Sequence, residues 1–412
     1  MATKLENAIR VSMDALLDAQ LANGAIAASI KKKKNVYHNV YPRDASIVAL
    51  ALDEFGFHGR ARKALDFLLS AQLKSGEWAQ CYTTEGKLPF HPFLGLTETD
   101  NQGLVIRALY EHYQTTRDKE WLKQIFPQIE RGLSFVLKFF NPKLNLIWNM
   151  AAIHEFPPWE AGYEIWTNSA NCDGLFKAAK LARVLGRPDL AKTWSDYAER
   201  IKSGILNNLW SEKLGYFQKR VRKIQMDFES IYKIIAKTKR NRYFPLYLLS
   251  YIQYYAFALI YLRFQSKKYP PRKLLIDISS LSPAYFDILP YDDPRVVKTI
   301  EAIEEFLWDK RMGGYQRYSE GVAPEPGGTN VFFQNGHGPW SIYTAWLAKY
   351  YLKSGNKKRA QRCLDWIIDV ALKDGLMCEH ISRYTGERCA EDFPWGKAEF
   401  LLAAREFSPF KI

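Results

Sequence analysis

Two glutamates stand in sequence contexts that suit acid–base chemistry. Glu160 follows Trp159 in the stretch PPWEAGYEIWTNS (157–169), and Glu379 lies in DGLMCEHISRYTGERC (374–389). Apolar walls disfavour the charged form of a carboxyl group, so a neighbouring Trp helps to keep an acid protonated near neutral pH. Glu160 is therefore a candidate for an acid that stays protonated, and Glu379 is a second candidate carboxylate.

Two carboxyl groups of this kind could together hydrolyse a glycosidic bond with inversion. That reaction needs a protonated acid at the leaving oxygen and an ionised base that activates water on the opposite face, about 6.5–9.5 Å away. Glu98 and Glu164 are also acidic and stay open as alternative acids. Taken alone, any of these glutamates could be structural or solvated.

The periodicity of apolar residues predicts the helices that must position these glutamates. Polar breaks, each followed by apolar residues at helical spacing, recur about every 60–70 residues. They lie near 56–72, 116–137, 186–206, 292–308 and 355–372. More apolar helices precede most of them, at 44–55, 101–116, 169–185 and 339–353. About twelve helices in six hairpins predict an all-α (α/α)6 barrel that occupies 1–412 as a single domain.

Long segments between the helices hold most of the candidate chemistry. They are rich in Trp, Tyr, Gly and Pro, and they cover 31–44, 76–100, 141–168, 311–338 and 374–395. No strand pattern of any length competes with the helical interpretation, so these segments are predicted to be loops. In a toroid of helical hairpins they gather at one mouth, where loops usually carry function.

A basic insert interrupts the helical rhythm at 219–273. Fourteen Lys and Arg residues and two acids lie there, so most of the formal charge of +14 belongs to this segment. That distribution argues against a nucleic-acid-binding protein. Within the insert, 243–262 has no charged residue but six tyrosines. A helix packed on the barrel, an interfacial or partner-binding element at 222–272, and a membrane span all remain open.

The amino-acid composition limits the classes of protein to which the chain could belong. Hydrophobic residues make up 47% of the chain and aromatic residues 15%, which suffices for a large core and for surfaces that stack on sugars. Five cysteines show no metal-binding spacing and suggest no disulfide framework. The N-terminal stretch 1–24 reads as an amphipathic helix without a secretory h-region, so a cytoplasmic location is expected. The oligomeric state stays open.

Six motifs in order resemble the glucoamylase-like catalytic domain of glycoside hydrolase family 15. They are NVYHNVYPRDASIVALAL (35–52), TETDNQGLVIRALYEHY (97–113), WEAGYEIWTNSANCDGLFKAAKLA (159–182), GGYQRY (313–318), GPWSIYTAWLAKYY (338–351) and GLMCEHISRYTGE (375–387). The resemblance extends from GAIAAS (24–29) to FPWGKAEFLLA (393–403) apart from the insert. Each motif is short, but their shared order makes the resemblance specific.

The resemblance implies a role for each matching residue. Glu160 stands at the general-acid position and Glu379 at the position of the base that activates water. The other matches bind substrate: Tyr37 beside that water, Arg43 and Asp44 on the hydroxyls of the terminal sugar, Arg317 with Tyr318 on the other wall, and Trp159 and Trp340 as stacking surfaces. Charge-assisted hydrogen bonds and aromatic rings suit sugar hydroxyls and C–H faces.

The resemblance also implies an activity. It is that of an inverting exo-acting α-glucosidase releasing β-glucose from non-reducing ends of α-glucans, with no metal or organic cofactor. An α,α-trehalase or an α-1,6-preferring glucosidase remains an alternative, as does a non-catalytic carbohydrate-binding or regulatory barrel. Relative to the family pattern, Ala161 stands where many members carry a second acid, and His380 stands where Gln is common.

Overall fold

The computed structural model describes residues 3–29, 38–89, 97–150, 162–221, 270–319 and 337–408, together with positions 249 and 267. Thirteen α-helices lie in these residues. They are α1 Lys4–Ala19, α2 Pro42–Glu54, α3 His58–Ala71, α4 Asp100–Thr116, α5 Lys119–Val136, α6 Ile165–Val184, α7 Pro188–Asn208, α8 Pro271–Leu274, α9 Ser282–Tyr285, α10 Pro294–Leu307, α11 Ser341–Lys353, α12 Lys357–Trp366 and α13 Pro394–Phe407.

The helices form two concentric layers. The inner elements α2, α4, α6, α9, α11 and α13 each contact the next, and α13 contacts α2, so the inner layer is a closed ring. The helices α1, α3, α5, α7, α10 and α12 lie around it. Helix α1 packs against α13, α3 against α2, α7 against α6, and α12 against α11. This arrangement confirms the (α/α)6 toroid predicted from the sequence.

The sequence pattern explains which helices lie inside. Inner helix α2 buries all but two of its residues, because its face toward the axis and its face toward the outer layer are both covered. Outer helix α5 buries one stripe, with Trp121, Leu122, Ile125 and Ile129 at helical spacing, and leaves its other face to solvent. The predicted outer helix at 355–372 is α12, which ends at Trp366 and continues as a π-helical turn, Ile367–Ala371.

The fourth inner element is much shorter than its neighbours. A 3₁₀ turn, Ile278–Leu281, leads into the four residues of α9. Aromatic rings fill the space beside it: Trp166 stacks on Trp346 with ring centroids 4.9 Å apart, and Tyr285 lies 4.7 Å from Trp346. Among the described residues, large rings thus fill the centre of the barrel beside this short helix.

Short strands lie between the described helices, some of them in segments that the sequence predicted as loops. They are β1 Phe140–Asn141, β2 Leu146–Ile147, β3 Trp210–Ser211, β4 Tyr216–Phe217, β5 Tyr315–Gln316, β6 Pro339–Trp340, β7 Leu372–Lys373, β8 Leu376–Ile381 and β9 Arg388–Glu391. Strands β5, β6, β8 and β7 form one sheet in that order, and β9 pairs with β8. The loop prediction for 374–395 was therefore wrong. Most of these strands are too short to show an alternating pattern, and β6 pairs with two strands that are distant in sequence.

A turn with the same geometry follows α1 and α3. AQLANG (19–24) and AQLKSG (71–76) each place a glycine at φ 91°. In each turn a Gln side-chain amide donates to its own turn glycine and to the next outer helix: Gln20 to the carbonyl of Arg60 at 2.9 Å, and Gln72 to that of Gln128 at 2.9 Å. A Cβ on Gly76 would lie 2.2 Å from the Arg131 carbonyl oxygen. Each such turn therefore joins one hairpin to the next through close packing and side-chain hydrogen bonds.

Replacing Gly103 with alanine is expected to destabilise the toroid by about 3 kcal/mol, because overpacking against backbone cannot relax by a side-chain rotation. A Cβ there would lie 2.2 Å from the carbonyl oxygen of Ala170 on α6, where Gly174 already approaches the Gly103 Cα. The change would appear as a lower urea midpoint. Gly59→Ala in α3 is the control, because its Cβ would meet nothing within 4 Å and should slightly stabilise the helix. Equal midpoints for the two variants would contradict the close packing of α4 on α6.

Candidate active site

The inner helices bring their N-terminal ends together at one end of the barrel. Arg43, in the first turn of α2, lies 3.8 Å from Asp100, the first residue of α4. Asp100 in turn accepts a 2.8 Å hydrogen bond from the indole of Trp166 in the first turn of α6. The guanidinium of Arg43 also lies 5.2 Å from the ring of Trp395, at the start of α13. Side chains from four inner helices thus meet at this end, as predicted for the mouth.

Arg43 is the centre of a buried charge cluster. Its side chain is 4% exposed and lies 3.4 Å from carboxylate oxygens of both Asp44 and Glu98. With Asp100, three carboxyl groups surround one guanidinium. The predicted pair Arg43 and Asp44 therefore lies in a buried set of compensating charges.

The Asp100 carboxyl is subject to opposing electrostatic influences. Burial raises its pKa above the ordinary value for aspartate, while the nearby Arg43 charge and the Trp166 indole lower it. Asp100 stands within the TETDNQG motif (97–103), but sequence reasoning gave it no role. The contact with Arg43 depends on two helices packing side by side, which the sequence pattern does not reveal.

A run of six polar residues beneath the mouth is buried, with at most 1% exposure from Thr97 to Gln102. Backbone and side-chain hydrogen bonds stabilise it. The Thr99 amide donates to the side-chain oxygen of Asn149 at 2.9 Å, and Asn171 donates to the Thr99 carbonyl at 2.8 Å. These hydrogen bonds offset part of the cost of burying consecutive polar residues and connect the segment to the elements that carry Asn149 and Asn171.

The structure gives the two alternative acids structural partners. Glu164 is the N-cap of α6, and its carboxylate accepts hydrogen bonds from the amides of Trp166 at 2.7 Å and Thr167 at 2.5 Å. Glu98 is fully buried beside Arg43. Helix capping by Glu164 and the ion pair of Glu98 are contacts that a structural role would explain.

The second predicted group lies on the sheet. Arg317 follows β5, and its guanidinium lies 5.2 Å from the ring centroid of Trp340. Trp340 stacks on His380, with centroids 4.5 Å apart and an interplanar angle of 14°. The His380 Nδ1 atom lies 3.9 Å from a carboxylate oxygen of Glu379. Arg317, Trp340 and Glu379, predicted from distant segments, thus form one continuous set of contacts.

Contacts at the start of α13 connect the two groups. Trp395 lies against Arg43, and a Cβ on the next residue, Gly396, would touch the Ser341 hydroxyl at 2.7 Å. That hydroxyl donates to the backbone carbonyl of Glu379 at 3.2 Å. Glu379 and Arg43 are therefore positioned by neighbouring elements at the same end of the toroid.

Tyr318, predicted on the wall beside Arg317, is buried and contacts His337 edge-to-face at 5.0 Å. The His337 ring lies 5.9 Å from Tyr384, which is 58% exposed near the tip of the β8–β9 hairpin. Burial lowers the pKa of His337 to about 4, so this imidazole is neutral near pH 7. Sequence reasoning missed His337, which contacts Tyr318, and Tyr384, which contacts His337.

Several predicted residues lie outside the described part of the chain. They are Tyr37, Trp159, Glu160 and Ala161, together with nearly all of the predicted insert between 222 and 269. Among the described residues, no group of three His, Cys, Asp or Glu side chains could hold a metal ion. No helix within the described ranges is long and apolar enough to cross a membrane.

No protein-family model matches the chain. It is 24% identical over 390 residues to an uncharacterized glycosyl hydrolase of Methanocaldococcus jannaschii, covering 90% of this chain and 51% of that protein. It is 24% identical over 374 residues to Trehalase 2 of Sulfolobus acidocaldarius, covering 85% of this chain and 53% of that protein. The chain therefore spans about half the length of these curated relatives.

Solved structures share the fold across nearly the whole chain. A glucoamylase from Saccharomycopsis fibuligera superposes with a TM-score of 0.71 at 13% identity, covering 98% of this chain and 94% of that chain. A glycosidase in complex with glucose superposes with a TM-score of 0.71 at 17% identity, covering 98% of this chain and 97% of that chain. These likenesses confirm the (α/α)6 fold and the resemblance to glucoamylase-like proteins.

Proposed function

We propose that the chain is a glycoside hydrolase, and specifically an inverting exo-acting α-glucosidase of the glucoamylase type. The observation that carries the proposal is the convergence of Arg43, Asp44 and Glu379 at the end of the toroid where the inner helices begin. Buried charge and aromatic rings surround this end, so a sugar entering it would exchange water for fixed polar groups.

In this proposal the two predicted carboxyl groups divide the proton transfers. The Glu160 carboxylic acid donates its proton to the glycosidic oxygen while the bond from that oxygen to the anomeric carbon breaks. Glu379, as carboxylate, accepts a proton from a water whose oxygen attacks the anomeric carbon on the opposite face. The product is β-glucose from an α-glucoside, and one proton has passed from Glu160 to the leaving sugar while another reaches Glu379.

Arg43, Asp44 and Arg317 are proposed to hold the terminal glucose. Vicinal hydroxyls are both donors and acceptors, so a carboxylate beside a guanidinium can bind two of them at once. The Arg43 position is fixed by Glu98 and Asp100, which restricts its guanidinium to one geometry. Trp340 is 6% exposed and stacks on His380, so its proposed contribution is to position Arg317 as well as to face the sugar.

An α,α-trehalase is the second candidate, and the similarity to Trehalase 2 of Sulfolobus acidocaldarius favours it. Trehalose also presents a terminal α-glucose, so the residues proposed for that sugar would serve either substrate. An α-1,6-preferring glucosidase would use them as well. A non-catalytic carbohydrate-binding barrel would bind the same sugar without cleaving it, and the presence of both Glu160 and Glu379 argues against it.

An NMR time course of anomer formation tests the proposal. Maltotriose, trehalose and isomaltose are each incubated with the native chain, with Glu160→Gln, and with Glu85→Gln as an exposed control carboxylate. We expect β-glucose to appear first from one substrate, at a similar rate in the control, and with a rate about 10²–10⁴-fold lower in Glu160→Gln.

The other outcomes have distinct meanings. Early α-glucose would overturn Glu379 as the base of an inverting reaction. Early β-glucose from trehalose alone would select the second candidate. No hydrolysis of the three sugars, with saturable sugar binding retained, would replace the enzyme by a binding barrel.

A further inference from the structure

We propose that His380 is a positioning residue for Glu379: its imidazolium keeps the Glu379 side chain ionised in the acid range, from a place fixed by Trp340. This inference rests on the proposed function, because it gives Glu379 the role of general base. It concerns a residue that the motif resemblance marks only as a departure from Gln.

The position of the imidazole is set by strand pairing. Trp340 of β6 is the register partner of His380 on β8, and Cys389 of β9 is its partner on the other side. Directly opposed residues of antiparallel strands point to the same face, which brings the indole and imidazole together. The side chain of His380 is 10% exposed, and its ring lies nearly parallel to Trp340. His380 is therefore held at a fixed distance from its neighbours.

The charged and titratable groups around this imidazole lie on β8, on β9 and just after β5. On β8 itself, a carboxylate oxygen of Glu379 lies 3.9 Å from Nδ1. The guanidinium of Arg317, after β5, contacts the same Trp340 ring. On β9, burial and the nearby Glu379 charge raise the pKa of Cys389 to about 12, so its thiol stays neutral. Burial likewise raises the pKa of Cys378 on β8 to about 11. Also on β9, Glu391 is the register partner of Cys378 and pairs with Arg388 at 3.1 Å. The carboxylate of Glu379 lies within 4 Å of the imidazole and supplies negative charge beside it.

This geometry makes the two side chains electrostatically coupled. Opposite charges within about 4–6 Å favour each other's charged forms. Imidazole is ordinarily protonated below about pH 6.5, and a glutamate ordinarily loses its proton near pH 4.3. A protonated His380 would therefore help Glu379 to stay ionised at the acid end of the working range. Trp340 would strengthen the effect, because an indole face attracts a cation stacked on it.

The role predicts a shifted pH profile in His380→Gln. Glutamine keeps a polar side chain but cannot carry a positive charge, so Glu379 would accept a proton at higher pH. We expect the acid limb of kcat/KM to move up by about one pH unit, with the plateau above pH 7 changed by less than a few-fold. A packing role alone would lower the plateau or the melting temperature and leave the limb in place, and that result would overturn the proposal. His58→Gln, paired with Asp53 on another part of the barrel, is the control.

A second measurement separates this inference from the proposed activity. With ¹³C-labelled glutamate, the carboxyl resonance of Glu379, assigned from its loss in Glu379→Gln, reports ionisation whether or not a substrate is cleaved. In the native chain we expect this resonance to show a second inflection where the His380 ring titrates, and a higher midpoint in His380→Gln. A single midpoint that His380→Gln leaves unchanged would overturn the coupling. Absence of hydrolysis together with the two inflections would reject the proposed function and keep the coupling.

If His380→Gln does not fold, His380→Asn and the native titration decide the question. The native chain needs no substitution at this position, so the second inflection of Glu379 is observable in any case. Its absence would overturn the proposal.

Discussion

Replacing Glu379 with glutamine is expected to lower kcat for the preferred glucoside by about 10²–10⁴-fold while changing KM little. Glutamine preserves the size of the side chain and its hydrogen-bonding capacity but cannot accept a proton from the attacking water. The backbone of Glu379 is held in β8, and its carbonyl accepts from Ser341, so the substitution should leave the strand in place. Steady-state kinetics with the substrate selected by the NMR time course measure the effect.

The control for this variant lies on the same hairpin. Glu387→Gln changes an exposed carboxylate between β8 and β9 and should leave kcat within about a factor of two. Glu379→Asp keeps the carboxylate but withdraws it by one methylene, so intermediate activity is expected. If Glu379→Gln retained more than a tenth of the native kcat, the general base would have to be another residue.

Replacing Arg43 with methionine is expected to lower the free energy of unfolding by about 3–5 kcal/mol at pH 7. The variant would leave Asp44, Glu98 and Asp100 without the guanidinium that they surround. Loss of sugar binding should accompany the loss of stability, because the proposed contact with the terminal glucose disappears as well. Urea denaturation and titration with the preferred sugar measure the two effects.

The pH dependence of the Arg43 effect follows from the carboxyl group of Asp100. Burial already raises its pKa in the native chain, and removing Arg43 removes a contribution that lowers it, so the pKa of this carboxyl should rise further in Arg43→Met. A group whose pKa is raised by folding costs stability when the pH exceeds its folded-state pKa, and this cost vanishes below the unfolded-state value near 3.9. The gap between variant and native stability should therefore shrink as the pH falls from 7 toward 4.

Arg10→Met, on the exposed face of α1, is the control for this variant and should change stability by less than about 0.5 kcal/mol at either pH. A gap between Arg43→Met and the native chain that stayed constant from pH 7 to pH 4 would contradict the role assigned to Asp100. A gap below about 1 kcal/mol at pH 7 would mean that the carboxyl groups find other compensation.

The helices could be predicted from the sequence because the apolar pattern that specifies each helix lies within the helix itself. The apolar stripe of α5 and the apolar inner helices α2 and α11 are legible in windows of a few turns, and the observed helices begin and end within a few residues of the predicted segments. The six-hairpin ring followed from the period of the pattern. The sequence motifs also predicted Arg43, Asp44, Arg317 and Glu379 as site residues, and the structure places these four at one end of the barrel.

The sheet that carries Glu379 was not predictable in the same way. Residue Trp340 pairs with His380 from 40 positions further along the chain, and neither neighbourhood shows an alternating pattern. The cluster of Glu98 and Asp100 around Arg43 was missed for the same reason, since it exists because α2 and α4 pack side by side. Contacts between distant segments determine both the sheet and the charge cluster, and the pattern of a single sequence gives little indication of such contacts.

The matching turns at Gly24 and Gly76 affect how the barrel unfolds when one hairpin is destabilised. An open array of repeats leaves an apolar face at each end and needs capping units to cover them. Here the contact of α13 with α2 closes the array, so every hairpin is an interior member with two neighbours. Because the side-chain amides of Gln20 and Gln72 tie each turn to the following outer helix, loosening one turn weakens two hairpins at once. A closed ring of this kind should lose its six hairpins in one cooperative event, without fraying from an end.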